Sequence, residues 1–155
     1  MLAYIFNADI LCEECGRDVR RRLNESALLA YHGDPHADDS DPSNPDLIAA
    51  LGFDPEDEHA YDSDDYPKGP DGDGGGEADS PQHCGMCGLF LNNPLTDDGR
   101  EYVIDLLIDH VFDNRGDHAV LETWLDAYRE TFDDAEIGRM FLETIRVRLT
   151  HAYTR

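Results

Sequence analysis

The stretch QHCGMCG, residues 82–88, sets two thiols three positions apart with a glycine behind the second. The same grammar occurs once more, as CEECG at residues 12–16, and these pairs account for all 4 cysteines of the chain. A C-x-x-C turn offers two sulfurs on one side of a tight loop, and the glycine lets backbone amides face them. Two such knuckles complete the four-sulfur tetrahedron that structural zinc prefers. Cys12, Cys15, Cys84 and Cys87 are therefore the expected ligands of one Zn2+. The competing readings are two redox-active pairs or an iron–sulfur centre, but neither pair stands in an evident thioredoxin-like strand-to-helix context. His83 adjoins Cys84, yet four thiols already fill the shell, so it reads as solvent-facing or as a support to the ligands.

The pairs are far apart in sequence, but distance is a weak objection. Loop closure costs only about 0.6 kcal/mol for each doubling of length, whereas structural zinc supplies on the order of 10 kcal/mol. The metal is expected to staple the amino-terminal elements to the carboxy-terminal helices. Four segments follow: 1–33 with a strand, the first knuckle and a helix; 34–82 as an acidic insert, mostly loop; 83–95 with the second knuckle; and 96–155 as a helical region.

In the first segment LAYIFNADILC reads as a short strand, and RDVRRRLNESALLAYH brings Val19, Leu23, Ala27 and Ala30 to one side of a helix that Gly33 and Pro35 stop. Arg20, Arg21 and Arg22 read as a small basic surface. The insert has too little aliphatic content to offset ordering costs of roughly 1–2 kcal/mol per residue. NPDLIAALG is its exception, with Asn44 as cap, Pro45 at the first helical position and Gly52 at the exit. Beyond the second knuckle, GLFLNNPL offers a short strand and a turn.

Three helical patterns close the chain. The first, 98–113, places Tyr102, Val103, Leu106, Leu107, His110 and Val111 inward; the second, 117–131, uses Val120, Leu121, Trp124, Leu125 and Tyr128. The third starts at a capping box of Asp133 and Glu136 and carries Ile137, Met140, Phe141, Thr144, Ile145 and Leu149. The fold class implied is α+β, a small zinc-ribbon-like knuckle pair with short strands packed on a carboxy-terminal three-helix bundle.

The formal charge is −23, concentrated in residues 33–82, where 16 acids face 1 base. Such a molecule repels phosphate and anionic lipid, which disfavours direct nucleic-acid or membrane binding and favours a protein partner with a basic surface. Glu101, Asp105, Asp109 and Asp113 form an i, i+4 row, and Glu122, Asp126, Glu130 and Asp134 form another. Each row spaces carboxylates about 6 Å apart along a helix. The plain reading is a solvated face; the sharper one is a phosphate-like field, a DNA mimic that inhibits a nucleic-acid-binding protein. Other classes remain: a zinc-ribbon nucleic-acid binder using Arg17 and Arg20 to Arg22, and a C-x-x-C thiol oxidoreductase.

Catalytic signatures are otherwise missing from the sequence. His32 and His36 have i, i+4 spacing broken by Gly33 and Pro35; DGDGGGE opens like a calcium loop but puts Gly75 and Gln82 at ligand positions. A closed four-thiolate shell has no open position for water, so the expected class is a noncatalytic interaction or regulatory protein. No apolar run approaches the ~20 residues of a spanning helix and the start lacks a basic leader, so a soluble cytoplasmic protein of a bacterial cell or host is expected.

The chain also resembles a group of small acidic double-CxxC proteins of bacteriophages and bacteria. CEECG, the run DSDDYPKGPDGDGGGEADSPQHCGMCGLFLNNPLT and the YV…W…Y helices carry the likeness. It implies a paired-cysteine metal site and a phage or mobile-element origin, and brings no activity with it.

Overall fold

A computed structural model describes residues 1–33, 43–113 and 117–128. The chain divides into two compact units, Met1–Glu77 with Gln82–Pro94, and Ala78–Pro81 with Leu95–Arg155. Among the described residues the class is α+β, with one three-stranded antiparallel sheet and four α-helices.

In the first unit, β1 (Ala3–Phe6) turns at Asn7 and Ala8 into β2 (Asp9–Cys12), pairing Phe6 with Asp9 and Ala3 with Cys12. The single strand expected here is thus a hairpin. Asn7 and Ala8 both take positive φ, 51° and 62°, the conformation that a tight two-residue hairpin turn demands. β3 (Lys68–Asp71) pairs antiparallel with the other side of β1, giving the order β2-β1-β3. It lies in the stretch read as loop, because KGPD carries no alternation of apolar residues to announce it.

Helix α1 (Glu13–His32) begins directly after β2 and ends at Gly33, which adopts the left-handed conformation. Its buried positions are Gly16, Asn24 and Leu28 rather than the expected stripe; Val19, Leu23 and Ala27 are half-buried and Ala30 is exposed. Gly16 explains the shift. A Cβ there would lie 2.1 Å from Tyr4 Cδ2, so the aromatic ring rests directly on the helix backbone. Gly16→Ala is expected to destabilise the protein by about 1–3 kcal/mol, overpacking outweighing the roughly 1 kcal/mol that alanine gains in helix propensity. Urea denaturation checks it, and a neutral or stabilising result would deny the close contact.

Helix α2 (Pro45–Leu51) follows its sequence signals: the Asn44 side chain accepts from the Asp46 N–H at 2.9 Å, and Gly52 closes the helix with φ 81°. The acidic segment after it packs through aromatic residues. Phe53, Tyr61 and Tyr66 are in mutual ring contact at 4.9–5.6 Å, and the Tyr66 hydroxyl donates to Asn24 Oδ1 at 3.0 Å. Farther on, a Cβ on Gly74, whose φ is 64°, would lie 2.4 Å from the Leu91 carbonyl oxygen. That close approach explains a glycine-rich run at this point.

In the second unit, α3 (Asp97–Asp113) is capped by Thr96, whose Oγ1 accepts from the Gly99 N–H at 3.1 Å and donates to Asp79 Oδ1 at 2.5 Å. Helix α4 (His118–Tyr128) is capped by Asp117, whose Oδ1 accepts from the Ala119 N–H at 3.0 Å. Among the described residues the buried positions of α3 are Gly99, Val103, Ile104 and Ile108, while Tyr102 is exposed and Leu106, Leu107 and His110 are half-buried. The apolar run from Tyr102 to Ile108 admits more than one helical face, which is why the expected face is rotated. In α4, Leu121, Trp124 and Tyr128 are buried. Burial pushes the Tyr128 hydroxyl up to about 12. The Val111 side chain and the expected third helix lie outside the described residues.

Candidate metal centre

The four cysteines converge although 69 positions separate Cys15 from Cys84 in the sequence. Their sulfurs all lie within 4.8 Å of one another, no disulfide joins them, and the group can hold a metal ion. The Sγ atoms of Cys12 and Cys87 lie 3.8 Å apart. That is far from the ~2.05 Å of a disulfide and suits sulfurs sharing a central cation.

The two pairs reach the site by different routes. Cys12 ends β2 and is the N-cap residue of α1, with φ −64° and ψ 164°, and Cys15 stands in the first helical turn. CEECG is therefore a strand-to-helix junction rather than the free tight loop expected. The helix N-terminus puts backbone N–H groups and the positive end of the dipole beside the thiols, favouring their anionic form. CGMCG does form a tight loop. Gly88 N–H donates to the Cys84 carbonyl at 2.8 Å, Cys84 N–H to the Leu89 carbonyl at 2.8 Å, and Leu91 N–H to the Gln82 carbonyl at 2.9 Å. Gly88 occupies the left-handed region at φ 74°, the turn its sequence position announced. The strand expected in GLFLNNPL reduces to two isolated bridges, His83 with Phe90 and Ala78 with Leu95.

A single backbone bond, Gly85 N–H to the Ile10 carbonyl at 2.9 Å, docks this loop on β2. Tyr4, Leu11, Cys12, Cys84 and Leu91 form one buried cluster, with Phe6, Ile10, Cys15 and Val19 against it. The centre thus grows out of the core of the first unit, with only Cys87 exposed. All four thiols belong to that unit. The expected staple to the carboxy-terminal helices is therefore corrected: the residues a metal would join are the β2–α1 junction and the second loop.

Electrostatics differ among the thiols. Burial pushes Cys12 up against the lowering effect of the Cys15 backbone N–H, and burial with neighbouring thiols pushes Cys15 up further. At Cys84 burial raises the pKa, but the backbone N–H groups of Cys12, Cys87 and Met86 outweigh it and hold the thiol at about 6. Cys84 is the sulfur best prepared to meet a cation as thiolate. His83 stands outside the group, its Nδ1 3.0 Å from the Gly88 carbonyl oxygen.

Of the arginines read as a basic surface, Arg17, Arg21 and Arg22 stay exposed beside acids, whereas Arg20 does not. Arg17 pairs with Glu13 at 2.5 Å, Arg21 with Asp18 and Glu25 at 2.6 and 2.5 Å, and Arg22 with Asp18. Arg20 turns inward to the carbonyls of Pro67 and Gly69. Of the acidic rows, Glu101, Asp105, Glu122 and Asp126 are exposed and Asp109 is half-buried; the Asp113 side chain, Glu130 and Asp134 lie outside the described residues. No helix among the described residues is long and apolar enough to cross a membrane.

The fold and site define a class, an α+β protein with a four-thiol centre able to hold a metal. The chain matches no family model, no curated protein and no solved structure.

Proposed function

We propose that the protein is a noncatalytic, zinc-binding interaction or regulatory protein that engages a partner with a basic surface. The observation that carries this reading is the convergence of Cys12, Cys15, Cys84 and Cys87 within 4.8 Å. Zinc–sulfur bonds of about 2.3 Å in a tetrahedron place sulfurs about 3.8 Å apart. The Cys12–Cys87 separation of 3.8 Å is compatible with such an edge. Four thiolates close the shell, which favours a structural ion over one that activates water. The formal charge of −23 supplies the attraction for a basic partner.

Exposure of Glu101, Asp105, Glu122 and Asp126 favours a special case, mimicry of DNA toward a nucleic-acid-binding protein. The nucleic-acid-binding alternative is less favoured, because Arg20 turns inward to carbonyls and the exposed Arg17, Arg21 and Arg22 each stand beside an acid. The first pair's place at a helix start suits a redox thiol pair, but its closeness to the second pair suits a metal better.

Native mass spectrometry tests the metal. The expected result is one zinc per chain, replaced by Co2+ with the intense thiolate-to-metal absorption of a tetrahedral four-sulfur site. Metal-free protein that reduces insulin disulfides would reverse the assignment. For the partner, capture from a bacterial lysate should enrich basic proteins and weaken with salt, and charge reversal of Glu101, Asp105, Glu122 and Asp126 should abolish it only in the mimic case.

A further inference from the structure

A cavity of 490 Å³ opens beside the centre, walled by Met1, Cys12, Glu13, Glu14, Arg17 and Leu89. Its walls come from both sides of the thiol group: Cys12, Glu13, Glu14 and Arg17 from the β2–α1 junction, Leu89 from the chain just after the second loop. Met1 and Leu89 are about half exposed, as is Met86 within the CGMCG loop. Apolar side chains left this open around a concave site are the usual mark of a binding surface, and methionine adapts to irregular occupants.

Charge selects among occupants. Arg17 is taken up by Glu13. Glu14 is exposed and forms no ion pair among the described residues. A dication held by four thiolates leaves the centre itself formally anionic. An acidic or phosphorylated ligand is repelled, while a cation beside an apolar group meets both features.

We propose that this cavity docks a short segment of a basic protein, an apolar side chain entering beside Met1 and Leu89 with flanking Lys or Arg residues facing Glu14. This deepens the function proposed above and rests on it, because the metal would hold the two walls in register.

Fluorescence anisotropy tests it on the full chain with two labelled peptides of equal positive charge, one interleaving Leu and Phe with Lys and Arg, the other Ser and Gly. The expected result is at least about tenfold tighter binding of the apolar peptide, the discrimination that burying one large side chain provides. Leu89→Asp should erase that preference, and Glu14→Lys should weaken both peptides and flatten their salt dependence. Leu89 is exposed enough that its replacement leaves folding intact, which the metal content of the variant verifies. Equal binding of the two peptides, or preference unchanged in Leu89→Asp, overturns the docking site while a bound zinc leaves the metal reading standing. Tighter binding of the apolar peptide by wild-type protein that is purified without metal, with the preference lost in a Leu89→Asp variant of unchanged circular dichroism, supports the docking site and overturns the metal reading.

Discussion

Chelating the metal is expected to cost the first unit most of its stability, lowering its thermal midpoint by at least about 20 °C. Structural zinc contributes on the order of 10 kcal/mol, while the net stability of a domain is only about 5–15 kcal/mol. A loss of even half that contribution moves a small domain's midpoint by this much. The structure says where the loss falls. The second cysteine loop meets β2 through one backbone bond, Gly85 to Ile10, and through the small cluster around Tyr4, Leu11 and Leu91. Removing the ion leaves four clustered thiols, with Cys84 already inclined to the anionic form at about 6. With Cys12 and Cys15 pushed up toward the neutral thiol, weak S–H contacts are all that replaces the bonds to the metal. The variants should rank by burial. Cys84→Ser replaces a sulfur that is 2 % exposed and should behave like the metal-free protein; Cys87→Ser, at the exposed edge, should retain zinc at reduced affinity with water in the fourth position. Near-ultraviolet dichroism reports the first unit through Tyr4, Tyr61 and Tyr66, and Trp124, the single tryptophan, reports the second. Unchanged melting after complete metal removal would show that the thiol group does not hold the fold.

The residues that carry chemistry were more legible than the backbone that positions them. Paired cysteines and their trailing glycines announce a shared site because thiols have few other reasons to recur in this pattern. The same pattern says nothing of whether a pair rides on a loop or on a helix start, and CEECG and CGMCG differ in just that respect. Gly16 illustrates the ambiguity: the residue read as relaxing a knuckle instead makes room for the Tyr4 ring. Capping signals worked where they are local, as at Asn44, Pro45 and Gly52. The hairpin turn was missed because Asn7-Ala8 lacks the glycine that usually marks it, and β3 because its partners are remote in sequence. The described part of the acidic segment is mostly loop, as its composition suggests, yet it packs. Low aliphatic content does not prevent packing when Phe53, Tyr61 and Tyr66 pack on one another and a cation from a helix meets the Tyr66 ring and the Tyr61 hydroxyl.

That cation is Arg20, and its loss should be the most damaging substitution outside the cysteines. Its Nε donates to the Pro67 carbonyl at 3.0 Å, and its Nη2 reaches the carbonyls of Pro67 and Gly69 at 2.7 and 2.8 Å and the Tyr61 hydroxyl at 3.3 Å. The guanidinium also lies 5.0 Å from the Tyr4 ring centroid and 5.1 Å from that of Tyr66. Pro67 and Gly69 are buried, so truncation leaves their carbonyls without the donor that replaced water. Charge-assisted hydrogen bonds contribute about 1.5–3 kcal/mol and a desolvated cation–π contact up to about 2 kcal/mol. Contributions within one group are not additive, which sets the expectation for Arg20→Ala at about 3–5 kcal/mol. Arg20→Lys keeps the charge but neither forks between two carbonyls nor stacks as a plane, so about half the loss should remain. Arg21→Ala and Arg22→Ala break exposed pairs and should cost less than about 1 kcal/mol each. Urea unfolding of the four variants separates the two roles available to this arginine run. An Arg20 that served a partner's phosphates would lower affinity and leave stability near that of the Arg21 variant, whereas the inward guanidinium must lower stability first, with cleavage by proteases appearing between Phe53 and Asp71 as the acidic segment comes away from α1.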